Sequence, residues 1–151
     1  EDRVPSTQEE SPYFHLFFRM DDGSFVAFFE LPESPPMGRD TATPPWVQHL
    51  ALEVDSVDTL LATQARLEAD GIEVVGPTEH TIFKSIYFFD PNGHRLELTA
   101  DTGTAEEYAE LRRVAPDMLE EWSRTKKAPQ HAAWLHEKAR AAHATKSRIG
   151  E

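Results

Sequence analysis

Ile82-Phe-Lys-Ser-Ile-Tyr-Phe-Phe-Asp-Pro-Asn-Gly-His-Arg-Leu-Glu-Leu-Thr-Ala100 reads as two β-strands joined by one turn. Asp90, Pro91 and Gly93 hold the first, second and fourth places of that turn, where each residue type is favoured. The predicted strands are Ile82–Phe89 and His94–Ala100. In the second strand Leu96 and Leu98 fall on one face and Glu97 on the other, because side chains alternate with period two. Upstream, Val47-Gln-His-Leu-Ala-Leu-Glu-Val54 repeats the pattern: Leu50, Leu52 and Val54 share a face, and His49 lies opposite. An imidazole and a carboxylate on the non-core faces of two strands suit a divalent metal with open positions.

Between these strands, Asp55 and Ser56 are good helix caps, followed by Leu60, Leu61, Gln64 and Leu67 at helical spacing. Gly71 stands where such a helix ends. Ile72–Val75 reads as a short strand closed by Gly76-Pro77. Residues 47–100 therefore read β-α-β-β-β. Residues 12–31 supply two aromatic strands around Asp21-Asp22-Gly23, a strong hairpin signal. They resemble the last two strands of a similar unit, with Glu30 answering to Glu97. On that reading the first unit lacks its opening strand and helix, and an upstream segment or a partner chain is expected to complete it. Pro32 to Pro45 holds five prolines and reads as a linker.

The tail differs in character. Thr104-Ala-Glu-Glu107 is a capping-box pattern. Tyr108, Leu111, Met118, Leu119 and Trp122 form a helical stripe, with a break expected at Pro116. Pro129 is expected to open a further helix carrying Trp134 and Leu135. His131, His136 and His143 read as surface histidines of this tail.

The bulk numbers exclude several classes. The net charge is −12. From Asp101 onward the charges balance, so the acidic excess lies in residues 1–100 and a nucleic-acid-binding patch is not expected. No apolar run approaches the ~20 residues of a membrane span. The chain has no cysteine, which removes disulfides and thiolate ligands and fits a reducing cytoplasm.

The β-α-β-β-β pattern, the strand histidine in Gln48-His49-Leu50-Ala51-Leu52-Glu53-Val54, and the ending Tyr87-Phe-Phe-Asp-Pro-Asn-Gly-His-Arg-Leu-Glu97-Leu98 together resemble the vicinal oxygen chelate superfamily. That group includes glyoxalase I, bleomycin- and fosfomycin-resistance proteins, methylmalonyl-CoA epimerase and extradiol dioxygenases. The resemblance covers about residues 12–100 and leaves the tail unmatched. It implies an α+β fold in which paired βαβββ modules form a curled mixed sheet around a metal site, here with a helical C-terminal extension. The domain expected is residues 1–100, with an incomplete first module (12–31) and a second module (47–100). Residues 101–151 form the extension.

The resemblance also assigns roles. On the residues alone, His49 is more plainly a hydrogen-bonded strand histidine, and Glu97 is either a solvated strand carboxylate or, with its neighbours, a metal ligand. Position in the family makes both of them metal ligands. Glu30 takes a site role, as ligand or acid/base, against the alternative of a surface carboxylate. The first-strand ligand of the first module has no counterpart in this chain. Tyr87, ten residues before Glu97, and His80 resemble the tyrosine and histidine of extradiol dioxygenases, where they orient the substrate and handle protons. His94 reads as structural or solvent-facing, and His15 is not assigned. The expected cofactor is a divalent metal: Fe(II) or Mn(II), or Zn or Ni if the chain is glyoxalase-like. The expected partners are a small substrate with vicinal oxygens and a second copy in a homodimer, with neither nucleic acid nor membrane. Three classes stay open: an extradiol-type dioxygenase, an isomerase or lyase favoured by Glu30, and a metal-free binding or resistance protein.

Overall fold

A computed structural model describes residues 3–35, 38, 40–131, 134 and 137. It divides into two compact units, Glu1–Asp40 and Thr41–Glu151. The fold is mixed α+β. The first unit holds β1 (Phe14–Arg19) and β2 (Phe25–Glu30), paired antiparallel with Leu16 opposite Phe28 and Phe18 opposite Val26. Asp22 fixes the turn by accepting from both the backbone N–H and the hydroxyl of Ser24. Gly23 takes a positive φ of 87°, which a residue without Cβ adopts at no steric cost.

The second unit runs β3 (Leu50–Glu53), α1 (Val57–Ala69), β4 (Val75–Glu79), β5 (Phe83–Phe89), β6 (Arg95–Asp101) and α2 (Ala105–Thr125). Its four strands lie in the order β3-β6-β5-β4. The β3–β6 pair is parallel and the other two pairs are antiparallel. Ser56 caps α1, its hydroxyl accepting from Thr59 N–H at 3.1 Å. Gly71, at a φ of 79°, ends the helix. The alternation in β5 and β6 then places the core. Ile86, Leu98 and Ala100 meet Leu60 of α1, with Val54, Val57, Leu67 and Val74 around them. The opposite face of the sheet is left for the polar side chains.

Four sequence expectations need correction. The strand expected at Ile72–Val75 begins at Val75 and runs through Gly76-Pro77 to Glu79. Proline cannot donate to a ladder, but β4 is an edge strand and its register shifts between Val75 and Thr78. The strand expected from Val47 begins at Leu50, because Val47 N–H closes a turn onto the Pro44 carbonyl at 3.0 Å. Pro116 does not divide the tail: α2 is continuous through it. Pro116 and Arg112, the residue whose carbonyl loses its donor, are both exposed, so the lost bond falls on the solvent-facing side of the helix. Finally, the inner stripe of α2 is Tyr108, Leu111, Val114 and Met118, whereas Leu119 and Trp122 are 68% and 48% exposed.

The capping box at Thr104 forms as expected, with reciprocal bonds between Thr104 and Glu107. His131 pairs with Glu121 at 2.9 Å. Leu135, His136 and His143 lie outside the described residues.

Candidate metal centre

Register assembles the site. Glu97 on the central strand β6 has Ala51 of β3 on one side and Tyr87 of β5 on the other. Arg95 and Thr99 flank Glu97 on the same face, because they are two residues away in either direction. His49 immediately precedes β3 and continues that face. Its Nε2 stands 2.8 Å from Glu97 Oε2. The other carboxylate oxygen, Oε1, accepts from the Tyr87 hydroxyl at 3.1 Å. On the far side of that hydroxyl lies His80 Nε2, at 2.8 Å. The result is one continuous chain, His49–Glu97–Tyr87–His80, anchored on a carboxylate that is only 6% exposed.

Each member is held from behind. His49 Nδ1 lies 3.2 Å from the Val47 carbonyl, a contact that orients the ring and aims Nε2 at Glu97. His80 lies in the tight turn between β4 and β5 rather than on a strand. Its N–H donates to the Phe83 carbonyl at 2.9 Å, and its ring stacks on Phe83 with centroids 4.6 Å apart. The next residue, Thr81, has a φ of 78°. A β-branched residue in the left-handed region is strained, and its N–H bond to Glu79 at 3.1 Å helps to hold it there. Burial is the main force pushing the Tyr87 phenol above its usual range, and the adjacent Glu97 carboxylate adds to it. Tyr87 therefore remains a protonated donor at neutral pH.

The His49–Glu97 geometry meets a simple test for metal binding. Two donors bound at right angles to one metal at about 2.1 Å each would stand about 3 Å apart. The 2.8 Å separation fits that spacing. A cation shared between Nε2 and the carboxylate oxygen, proton or metal, satisfies both groups. The pair fits two positions of a metal site. Among the described residues, no group of three or more His, Asp or Glu is placed to hold a metal.

Glu30 belongs to the other unit. It is exposed at the end of β2, opposite Phe14. The two hairpins have the same turn bonds: Met20 N–H to Ser24 O and Gly23 N–H to Met20 O, against Asp90 N–H to His94 O and Gly93 N–H to Asp90 O. The flanking pairs Arg19–Phe25 and Phe89–Arg95 correspond. Counting onward from them, Ala27 holds the place of Glu97, and Glu30 that of Ala100. The positional argument that matched Glu30 to Glu97 is therefore three residues out of register. Of the other histidines, His15 is stacked on Phe29 and tilted against Phe17, with centroids 3.9 Å from each, and His94 is exposed.

One member of the site went unread in the sequence. The Arg95 guanidinium carbon lies over the Tyr87 ring, 4.4 Å from its centroid. Its position two residues before Glu97 was the available signal, since it forces both onto one face.

The family model of the Glyoxalase/Bleomycin resistance protein/Dioxygenase superfamily matches residues 1–98. The chain belongs to that superfamily. No curated protein matches it. Among solved structures, the superfamily chain is similar to the fosfomycin resistance protein FosX from Listeria monocytogenes in its hexagonal form. That likeness is 26% identity over 62% of this chain and 69% of FosX, with a TM-score of 0.44. FosX complexed with Mn(II) and sulfate gives 26% identity over 63% and 64% of the two chains, with a TM-score of 0.42. The integron cassette protein HFX_CASS4, from the mobile metagenome of the Halifax Harbour sewage outfall, gives 28% identity over 56% and 66%, with a TM-score of 0.39. Among the described residues, no helix is long and apolar enough to cross a membrane.

Proposed function

We propose that this chain is a metal-dependent enzyme acting on a small substrate with two neighbouring oxygens, of the extradiol ring-cleaving dioxygenase type. The observation that carries the reading is the chain His49–Glu97–Tyr87–His80, in which two ligand-type groups adjoin a phenol and an imidazole suited to proton transfer. His49 Nε2 and Glu97 would hold the metal, Fe(II) or Mn(II), together with a third ligand. When bound, the metal supplies Lewis acidity and open positions for vicinal oxygens and dioxygen.

The chain's own residues do the rest. Tyr87 donates to Glu97 while its oxygen accepts from His80 Nε2–H. A substrate hydroxyl entering beside Glu97 meets a phenol that donates to its oxygen, and the His80 Nε2–H stands one bond behind to replace the proton the phenol gives. Phe83 keeps the His80 ring from turning away. In ring cleavage, the carbon–carbon bond beside one catechol hydroxyl breaks and both atoms of dioxygen enter the product.

A second reading has its own support. His49 and Glu97 satisfy each other directly, and among the described residues no third ligand joins them. That arrangement also suits a metal-free binding protein. The test is oxygen uptake by iron-loaded protein across a panel of catechols, run beside isomerisation of a glutathione hemithioacetal. Uptake that falls in Tyr87→Phe and His80→Ala supports the dioxygenase. Isomerisation without uptake refutes it, and bound catechol without metal or turnover favours the metal-free reading.

A further inference from the structure

We propose that Arg95 is the binding residue for an oxyanion carried by the substrate, a carboxylate or phosphate-type group lying beside the two vicinal oxygens. The inference rests on the reading above and narrows its substrate class to acids.

Three observations carry it. First, Arg95 shares the face of Glu97, and its guanidinium sits over the ring of Tyr87, whose hydroxyl bonds Glu97. Its charge is thus a few bond lengths from the point where substrate would enter. Second, Arg95 is half-buried, yet among the described residues no carboxylate pairs with it and no acceptor takes a hydrogen bond from its side chain. Third, the contact with Tyr87 steadies the guanidinium without consuming its N–H donors. A planar fork of free donors, already ordered, matches the two oxygens of a carboxylate or phosphate. Glu97 would repel such an anion, but its charge is engaged by His49.

The test uses the full chain and two probes, Mn(II) alone and inorganic phosphate, each followed by titration calorimetry. Arg95→Gln should weaken phosphate binding by about tenfold or more, the usual worth of a charge-assisted bond. Arg95→Lys should fall between, and Mn(II) affinity should stay within about twofold. Circular dichroism checks that both variants fold. Equal phosphate affinity in wild type and Arg95→Gln overturns the inference, as does an absence of phosphate binding at millimolar concentration. The two proposals fail separately. Phosphate binding that needs Arg95 in a chain that takes no Mn(II) keeps the subsite and refutes the metal reading. Mn(II) binding with phosphate indifferent to Arg95 does the reverse.

Discussion

Replacing Tyr87 by Phe removes one oxygen and changes little else, so its effects are calculable from the geometry. The hydroxyl donates to Glu97 Oε1 at 3.1 Å and meets His80 Nε2 at 2.8 Å. Glu97 is 6% exposed, so its oxygen is left without a donor and with little access to water. A hydrogen bond to a charged group is worth about 1.5–3 kcal/mol. His80 is only half-buried and recovers part of its loss from solvent, so it adds little. The expected destabilisation is about 2 kcal/mol, which for a chain of this size lowers the melting temperature by roughly 4–8 °C. Urea denaturation followed by circular dichroism measures it. Catalysis should suffer more, because loss of a positioned proton-transfer group costs on the order of 10²–10⁴ in rate. A double-mutant cycle with His80→Ala should show the two changes to be strongly non-additive in rate. Stability within about 0.5 kcal/mol of wild type, the spread of ordinary surface substitutions, would refute the claim that this hydroxyl braces Glu97. Additive rate effects would refute the claim that the phenol and imidazole act as a unit.

Two further outcomes follow from the fold. The Tyr108 hydroxyl donates to Asp101 at 2.6 Å, and this pairing is the main cause that pushes its phenol up to about 12, so alkaline absorbance titration should show two late-ionising tyrosines, Tyr87 and Tyr108, of which one is lost in Tyr108→Phe. The sign is that of a raised pKa: the support this bond gives to α2 is complete below the usual tyrosine value of 10.0 and fades as pH rises through about 12. Gly76→Ala should destabilise by about 1–3 kcal/mol in urea denaturation, because its φ is 131° and a Cβ there would lie 2.7 Å from the Ser85 carbonyl oxygen. An unchanged midpoint would mean that β4 shifts freely along β5.

The sequence made the second unit legible because its local signals agreed with its tertiary ones. The alternation of Leu96, Glu97 and Leu98, the turn at Asp90–Gly93 and the Ser56 cap all point to one structure. His49 and Glu97 could be picked out because each interrupts an apolar pattern. Tyr87 and His80 needed the family resemblance, since nothing in period two alone brings a turn histidine to a strand phenol. The misreadings have physical causes. Pro77 and Pro116 looked like terminators, but an edge strand and an exposed helical face both tolerate a lost donor. Glu30 was matched to Glu97 through the general likeness of two strand–turn–strand segments, whereas the turn's own bonds set the register in a hairpin.

The central claim is that His49 and Glu97 hold a divalent metal. Metal content by mass spectrometry, after dialysis of wild type, His49→Ala and Glu97→Ala against Mn(II) and Fe(II), tests it most directly. The account predicts one metal per chain in wild type and loss of nearly all of it in both variants, with circular dichroism unchanged. Equal metal content in either variant, or a wild type that retains none, would contradict it.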